Sequence, residues 1–222
     1  MKSFPFPDRV HSRDELKRDV LYEKIPEEDR IPICDKAWDT GVEAARCIMQ
    51  EYGERTSIQD IAAQCGLVVK RLDRDNVAGN MRYFSEYYAG RNTIFMYSGG
   101  IARWAEENHF TYDQAEELIL SHEFFHYLEQ NKIGETAKQY EVPTVKIGKH
   151  ILVKVGVRAL CEIGAHGFSR TYYEIRRNVS FEDCGTYVRN AAVDINNFER
   201  AVSAEKFREF ISGMTGAGTM KK

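Results

Sequence analysis

Residues 111–130 read TYDQAEELILSHEFFHYLEQ, and this stretch predicts the clearest helix of the chain. It is rich in strong helix formers, lacks Gly and Pro, and opens with a capping box formed by Thr111 and Gln114. Inside it, His122 and His126 belong to an HExxH motif. Residues four apart on a helix lie one turn apart and within about 40° of each other, so both imidazoles can bind one metal ion.

The carboxylate of the motif, Glu123, follows the first histidine and is rotated from it by about 100° around the helix axis. From there it can accept a hydrogen bond from a water bound to the metal instead of binding the metal itself. This geometry predicts a general base. The alternative is a helix whose two histidines are satisfied by hydrogen bonds and bind no ion.

A third ligand is expected downstream, because a catalytic zinc site has three protein ligands and one open position. The pattern HExxHxxGxxH is excluded, since Lys132 stands where its third histidine would be. Glu162, in the segment CEIGAHGFSR, falls in a helix predicted over 157–176. Gly164 and Gly167 would allow that helix to approach the HExxH helix closely. We therefore expect Glu162 to complete a Zn²⁺ site.

Four further residues could act on a reacting group, although each also has a simpler explanation. His150 and His166 could stabilise an oxyanion or contribute to the metal site, or they could be exposed or hydrogen-bonded histidines. Tyr172 and Tyr173 could donate to a tetrahedral intermediate, or they could pack in the core.

The motif and its downstream segment together resemble a known family. LILSHEFFHYLE followed by EIGAHGF is similar to the ImmA/IrrE-type metallopeptidases, in which HExxH precedes Glu-x-x-Ala-x-x-Phe on the next helix. The resemblance covers residues 35–176 and implies a zincin-like fold, a His-His-Glu zinc site and intracellular cleavage of transcriptional regulators, often repressors. The chain departs from the family at His166, usually Asp or Asn, at Ser169, usually Ala, and from Arg170 onward, where RTYYEI replaces Leu-Leu-Met-Pro.

The remaining sequence predicts a compact α+β domain with a small sheet. A helix is expected over 35–52 with Gly53 as its stop signal, and a shorter one after the N-cap Ser57. LVVKRL, MRYFSEYY and NTIFMYS read as strands, the last two forming a hairpin. VPTVKI and HILVKV read as a second hairpin, joined by Gly148 and Lys149.

This pattern divides the chain into four regions. Residues 1–34 are expected to form an N-terminal arm, with a short helix capped by Ser12 and Glu15 and ended around Pro26 and Pro32. Residues 35–176 are the predicted zincin-like domain. Residues 177–213 are expected to be helices packed on the same domain, and residues 214–222 a flexible tail.

Composition limits the partners. With 31 Lys and Arg against 34 Asp and Glu, the chain has no basic field that would favour nucleic acid, so no direct nucleic-acid partner is expected. The short helix before Gly66 resembles the start of a helix-turn-helix, but LVVKRL predicts a strand where a recognition helix would stand. No apolar run approaches the roughly 20 residues that a membrane helix needs. A cytoplasmic location is expected.

These observations predict a zinc-dependent metallopeptidase that hydrolyses a peptide bond in a protein or peptide substrate, with a transcriptional repressor as the substrate that the resemblance suggests. The strand NTIFMYS, just before the HExxH helix, is expected to be an edge strand that binds an extended peptide. The alternative is a non-catalytic regulatory or sensor protein that keeps the metal site. The sequence leaves the oligomeric state open.

Overall fold

The computed structural model of the protein describes residues 6–79, 81–147 and 150–180. Helices and short strands are mixed along this part of the chain, so the α+β class is confirmed. The helices are α1 (Asp14–Lys17), α2 (Glu27–Tyr52), α3 (Ile58–Gln64), α4 (Ser98–Glu107), α5 (Tyr112–Leu128) and α6 (Ala159–Arg177). The strands are β1 (Val68–Leu72), β2 (Asn76–Ala78), β3 (Met81–Tyr83), β4 (Ser85–Tyr88), β5 (Thr93–Tyr97), β6 (Glu141–Ile147) and β7 (His150–Gly156).

The largest sheet within the described residues has the order β1-β5-β4. β1 runs parallel to β5, and β4 runs antiparallel to it. The predicted hairpin is confirmed for β4 and β5, which are joined by a 3-10 turn (Ala89–Arg91) and by Asn92 in the left-handed conformation. The predicted strand MRYFSEYY is interrupted at Phe84, because its first part pairs with β2 in a separate ribbon.

The position of β5 corrects one expectation. The strand NTIFMYS is the centre of its sheet and not an edge, since β1 and β4 pair with its two sides. Its residues Ile94 and Met96 are fully buried, as expected of a central strand. An edge of the sheet lies instead at β4.

The N-terminal part of the chain also differs from the prediction. α2 begins at Glu27, directly after Pro26, and continues through Pro32 and across the boundary expected after residue 34. A proline fits the start of a helix, and the carbonyl that Pro32 leaves without an amide partner belongs to the exposed Glu28. The helix therefore continues where the sequence suggested a stop.

The expected capping box of the first helix is wrong. α1 begins at Asp14 and has no side-chain cap. Ser12 is buried, and its hydroxyl donates to the backbone carbonyl of Arg9. The capping role is lost because Ser12 lies inside a preceding 3-10 turn, His11–Arg13.

The two helices predicted around the motif are confirmed. α5 starts with the expected capping box of Thr111 and Gln114, and after Leu128 it continues into a π-helical turn, Glu129–Ile133. α6 ends at Arg177, one residue beyond the prediction. The hairpin of β6 and β7 is confirmed as well, although its turn residues lie outside the described part of the chain.

Helix α6 packs against α2 at an unusually short distance that glycines permit. A Cβ at Gly41 would lie 1.9 Å from the carbonyl oxygen of Gly164, and one at Gly167 would lie 2.5 Å from the carbonyl oxygen of Trp38. Gly164 also faces the ring of Phe125 on α5. The expected close approach of α6 to the HExxH helix thus occurs at Gly164, whereas Gly167 serves the contact with α2.

The core consists of two groups of buried side chains that meet along α6. One group includes Phe124 and Phe125 of α5 together with Phe168 of α6. The other includes Leu160 and Ile163 of α6, with residues from the N-terminal segment and the first half of α2. Since α6 contributes to both groups, its position is fixed from two sides.

Most of the predicted C-terminal helical region (177–213) and all of the predicted tail (214–222) lie outside the described residues, which end at Ser180. In the part of the chain that the structure covers, no helix has the length and apolar character that crossing a bilayer requires.

We expect Gly41→Ala to destabilise the protein by about 1–3 kcal/mol, because α2 and α6 must move apart to accommodate the methyl group. Gly90→Ala is the matched control, since a Cβ there has no neighbour within 4 Å. Its effect should be within about 0.5 kcal/mol. Urea unfolding of both variants measures the difference, and equal stabilities would contradict the close packing of the two helices.

Candidate metal centre

The three predicted ligands come together between α5 and α6. The Nε2 atoms of His122 and His126 are 3.2 Å apart. Glu162 places one carboxylate oxygen 3.2 Å from Nε2 of His122 and the other 3.5 Å from Nε2 of His126. The ligand atoms of the three residues all lie within 4.8 Å of one another.

These separations fit a tetrahedral metal site. Zinc binds nitrogen and oxygen ligands at about 2.0–2.2 Å, so two ligands of one tetrahedral ion are about 3.4 Å apart. Two imidazoles and one carboxylate are also a donor set typical of catalytic zinc, with one position left for a non-protein ligand. The site is open on one side, because 48% of the Glu162 side chain is exposed, against 15% for His122 and 18% for His126.

The electrostatics of the site favour an ionised carboxylate. Burial alone would raise the pKa of Glu162, but its hydrogen bond to His122 and the positive charges of His122 and His126 lower it far below its usual value. Burial alone would likewise lower the pKa of His126, but the hydrogen bond to Glu129 and nearby carboxylates raise it to about 9. A metal ion entering the site must therefore displace a proton from His126.

Glu129 orients His126 and was missed by the sequence analysis. Its Oε2 lies 3.0 Å from Nδ1 of His126, and its Oε1 accepts the backbone N–H of Thr136 at 2.9 Å. The residue is only 3% exposed. Such a bond holds the proton of the imidazole on Nδ1 and leaves Nε2 free for the metal. The three-residue spacing on one helix was an available signal.

The predicted base Glu123 lies outside the ligand cluster, as its place in the motif requires. Its Oε1 accepts a hydrogen bond of 2.8 Å from the hydroxyl of Ser85 on β4. Two residues along β4, the ring of Tyr87 packs against Tyr127, one turn further along α5. The strand therefore lies along the face of α5 that carries Glu123. Ser85 is 38 residues away in sequence, and no local pattern pointed to it.

His166 lies beside a metal ligand. Its ring centroid is 5.4 Å from that of His122, and its buried Nδ1 has no hydrogen-bond partner within the described residues. Burial lowers the pKa of His166 to about 3, so the ring is neutral. The Nδ1 atom of this neutral ring can thus donate to, or accept from, a group bound in the site.

The tyrosines suggested as stabilisers have other partners. The hydroxyl of Tyr172 donates to Glu117 and accepts the backbone N–H of Ile58, both at 2.8 Å. Burial raises its pKa. Tyr172 thus joins α3, α5 and α6.

Tyr173 is buried, with its ring against Phe110 and below the guanidinium of Arg177. His150 is exposed at the start of β7, paired with Ile147. These contacts assign Tyr173 to packing and His150 to the hairpin. Neither residue belongs to the cluster of three ligands.

Comparison of the chain with protein-family models, with curated proteins and with solved structures found no match. The interpretation of the site therefore depends on its own geometry and on the resemblance of its motifs.

We expect the purified protein to bind one zinc ion per chain, and Glu162→Ala to bind zinc at least about 100-fold more weakly, because one of three ligands is lost. His150→Ala is the control, since this histidine is exposed and outside the cluster, and it should bind as the unmodified chain does. Isothermal titration with Zn²⁺ after chelator treatment compares them. Equal affinity of all three proteins would contradict the assignment.

Glu129→Gln should weaken zinc binding by about 10–100-fold, the range found when a group that orients a metal ligand is altered. The control is Glu135→Gln, whose carboxylate is exposed and pairs with Lys138. Competition with a zinc-binding dye measures both affinities. An unchanged affinity in Glu129→Gln would show that the bond to His126 has no role in metal binding.

Proposed function

We propose that this protein is a zinc-dependent peptidase with a zincin-like fold, similar in type to the ImmA/IrrE metallopeptidases. The observation that carries the proposal is the arrangement of four side chains. His122, His126 and Glu162 converge on one point, while Glu123 stands beside them and is held from the opposite side by Ser85. A site that only stores a metal has no need of a second carboxylate that stands next to the ligands without belonging to them.

Each residue then has a distinct role. A zinc ion held by His122, His126 and Glu162 would supply a Lewis acid that polarises the scissile carbonyl and acidifies water. Glu123 accepts the proton of the attacking water and delivers it to the leaving amine, so that its carboxylate is regenerated. Ser85 donates to one oxygen of Glu123 and leaves the other available for this proton. His166 provides a neutral ring nitrogen beside the site.

The substrate is proposed to bind as an extended peptide along β4. The amide of Tyr97 donates to the carbonyl of Phe84, and by the alternation of an antiparallel ladder the backbone groups of Ser85 and Tyr87 point away from β5. Among the described residues, β4 pairs in this sheet with β5 alone. An added peptide strand would thus run past Glu123, which touches the side chain of Ser85.

The resemblance to ImmA/IrrE-type enzymes suggests a transcriptional repressor as the natural substrate. Neutral overall charge balance gives no separate indication of a nucleic-acid partner. A non-catalytic metal sensor on the same scaffold is the alternative that the following experiment separates from an enzyme.

We expect Glu123→Gln to reduce peptide cleavage by about 10²–10⁴-fold, because an amide cannot accept the proton from water. The variant should still bind one zinc ion, since Glu123 is not a ligand. The control Glu107→Gln, at the exposed end of α4, should cleave normally. The assay is hydrolysis of a fluorescence-quenched peptide library with zinc content measured in parallel. A zinc-loaded unmodified chain that cleaves no member of the library would favour the sensor.

A further inference from the structure

The ring of Phe6 lies beside His122, one of the three proposed zinc ligands. Its centroid is 6.0 Å from that of the ligand His122, 5.9 Å from that of His166 and 5.5 Å from that of Trp104. Phe6 is only partly buried, and it packs against the main core from its surface. An apolar side chain from the N-terminal segment therefore occupies the space next to the first zinc ligand.

The walls around Phe6 belong to the body of the protein. Trp104 comes from α4 and is held by Phe84 on one side and by a stacked Phe110 on the other. His166 comes from the buried face of α6. Because these walls have their own contacts, the pocket should persist when Phe6 leaves it.

The two residues Asp8 and Arg9, which follow Phe6 closely, are fastened to the adjacent turn and to α2. Asp8 accepts the backbone N–H groups of Val10 and His11, and Arg9 forms ion pairs with Asp39 and Asp35 of α2. These ion pairs are partly exposed, and such pairs contribute little to stability. A rotation of the backbone at residues 6 and 7 would thus displace the ring of Phe6 and leave α1 and α2 in place.

We propose that the pocket formed by His166 and Trp104 beside the zinc ligand His122 is the subsite for an aromatic side chain of the substrate, and that Phe6 occupies it as an intramolecular competitor. The inference rests on the proposed peptidase function and names its substrate class, a peptide with an aromatic residue next to the scissile bond. The shape of the pocket is complementary to a phenyl ring because it holds one. The N-terminal segment consequently lowers the apparent affinity for substrate by the fraction of time that Phe6 is bound.

The experiment measures binding of two small zinc-chelating probes to the full-length, zinc-loaded protein by quenching of tryptophan fluorescence. L-Phenylalanine hydroxamate carries an aromatic group for the pocket, and glycine hydroxamate carries none. In Phe6→Ala the phenylalanine probe should bind about tenfold more tightly than in the unmodified chain, because the competitor is gone. The glycine probe should change by less than about twofold.

Two further variants complete the test. Arg9→Ala loosens the segment without altering the pocket and should give a smaller gain for the phenylalanine probe alone. Val20→Ala changes a fully exposed residue of the same N-terminal region and should give none. An equal gain for both probes would show that Phe6 only shields the metal, and the aromatic subsite would be overturned.

The remaining outcomes are also decisive. No gain in a Phe6→Ala chain that holds one zinc ion would refute the competitor, and loss of zinc from that variant would show that Phe6 supports His122 as a structural residue. Failure of the proposed peptidase function gives a different result. If both probes bind as expected and no variant cleaves any peptide, the peptidase function is refuted and the aromatic subsite is supported. If neither probe binds the zinc-loaded chain at all, the subsite is overturned.

Discussion

The packing of α6 against two helices at once is the constraint on which the cluster of His122, His126 and Glu162 depends. Gly41 and Gly164 bring the backbones of α2 and α6 into direct contact, while Gly164 also admits the ring of Phe125 from α5. This contact fixes both the height and the rotation of α6. Glu162, two residues before Gly164, is thereby placed within 3.2–3.5 Å of the imidazoles of α5.

Hydrogen bonds around the cluster then orient His126 and Glu123. Glu129 is buried where α5 continues into a π-helical turn. Its carboxylate forms a hydrogen bond with Nδ1 of His126, the ring nitrogen that does not face the other two residues of the cluster. Ser85 holds Glu123 from the sheet. A π-helical turn adds a residue to a helix and is frequent at functional sites. Here it begins at the buried Glu129, whose carboxylate accepts the backbone N–H of Thr136 beyond the turn.

Local signals in the sequence were sufficient for α5 and α6 and for the choice of three residues that the fold brings together. The capping box at Thr111 and the spacing of the motif predicted α5, and the search for a third ligand led to Glu162. Pro32 misled the prediction, because a proline near the start of a helix is tolerated when the carbonyl it leaves unpaired faces water. The contacts of Ser85 and Phe6 were unpredictable, since they join segments that only the tertiary fold brings together.

The order of strands in the sheet could not be predicted from the sequence for a similar reason. The short run NTIFMYS, rich in β-branched and aromatic residues, identified β5 as a strand, but the parallel pairing with β1 that makes it central depends on a connection across other elements. β4 is consequently an edge strand of this sheet, and its residue Ser85 forms a hydrogen bond with Glu123, the proposed base. The sequence identified the strand but not its neighbours, and the observed order brings β4, an edge strand of this sheet, next to Glu123.

X-ray absorption at the zinc edge of the loaded protein tests the central claim most directly. The account predicts about four nitrogen and oxygen neighbours at roughly 2.0–2.2 Å, with the outer-shell scattering of two imidazole rings. Cys161 is the chain neighbour of Glu162, so a wrong choice of ligand has a clear signature. A sulfur neighbour at about 2.3 Å, or scattering from fewer than two imidazoles, would contradict a centre built from His122, His126 and Glu162.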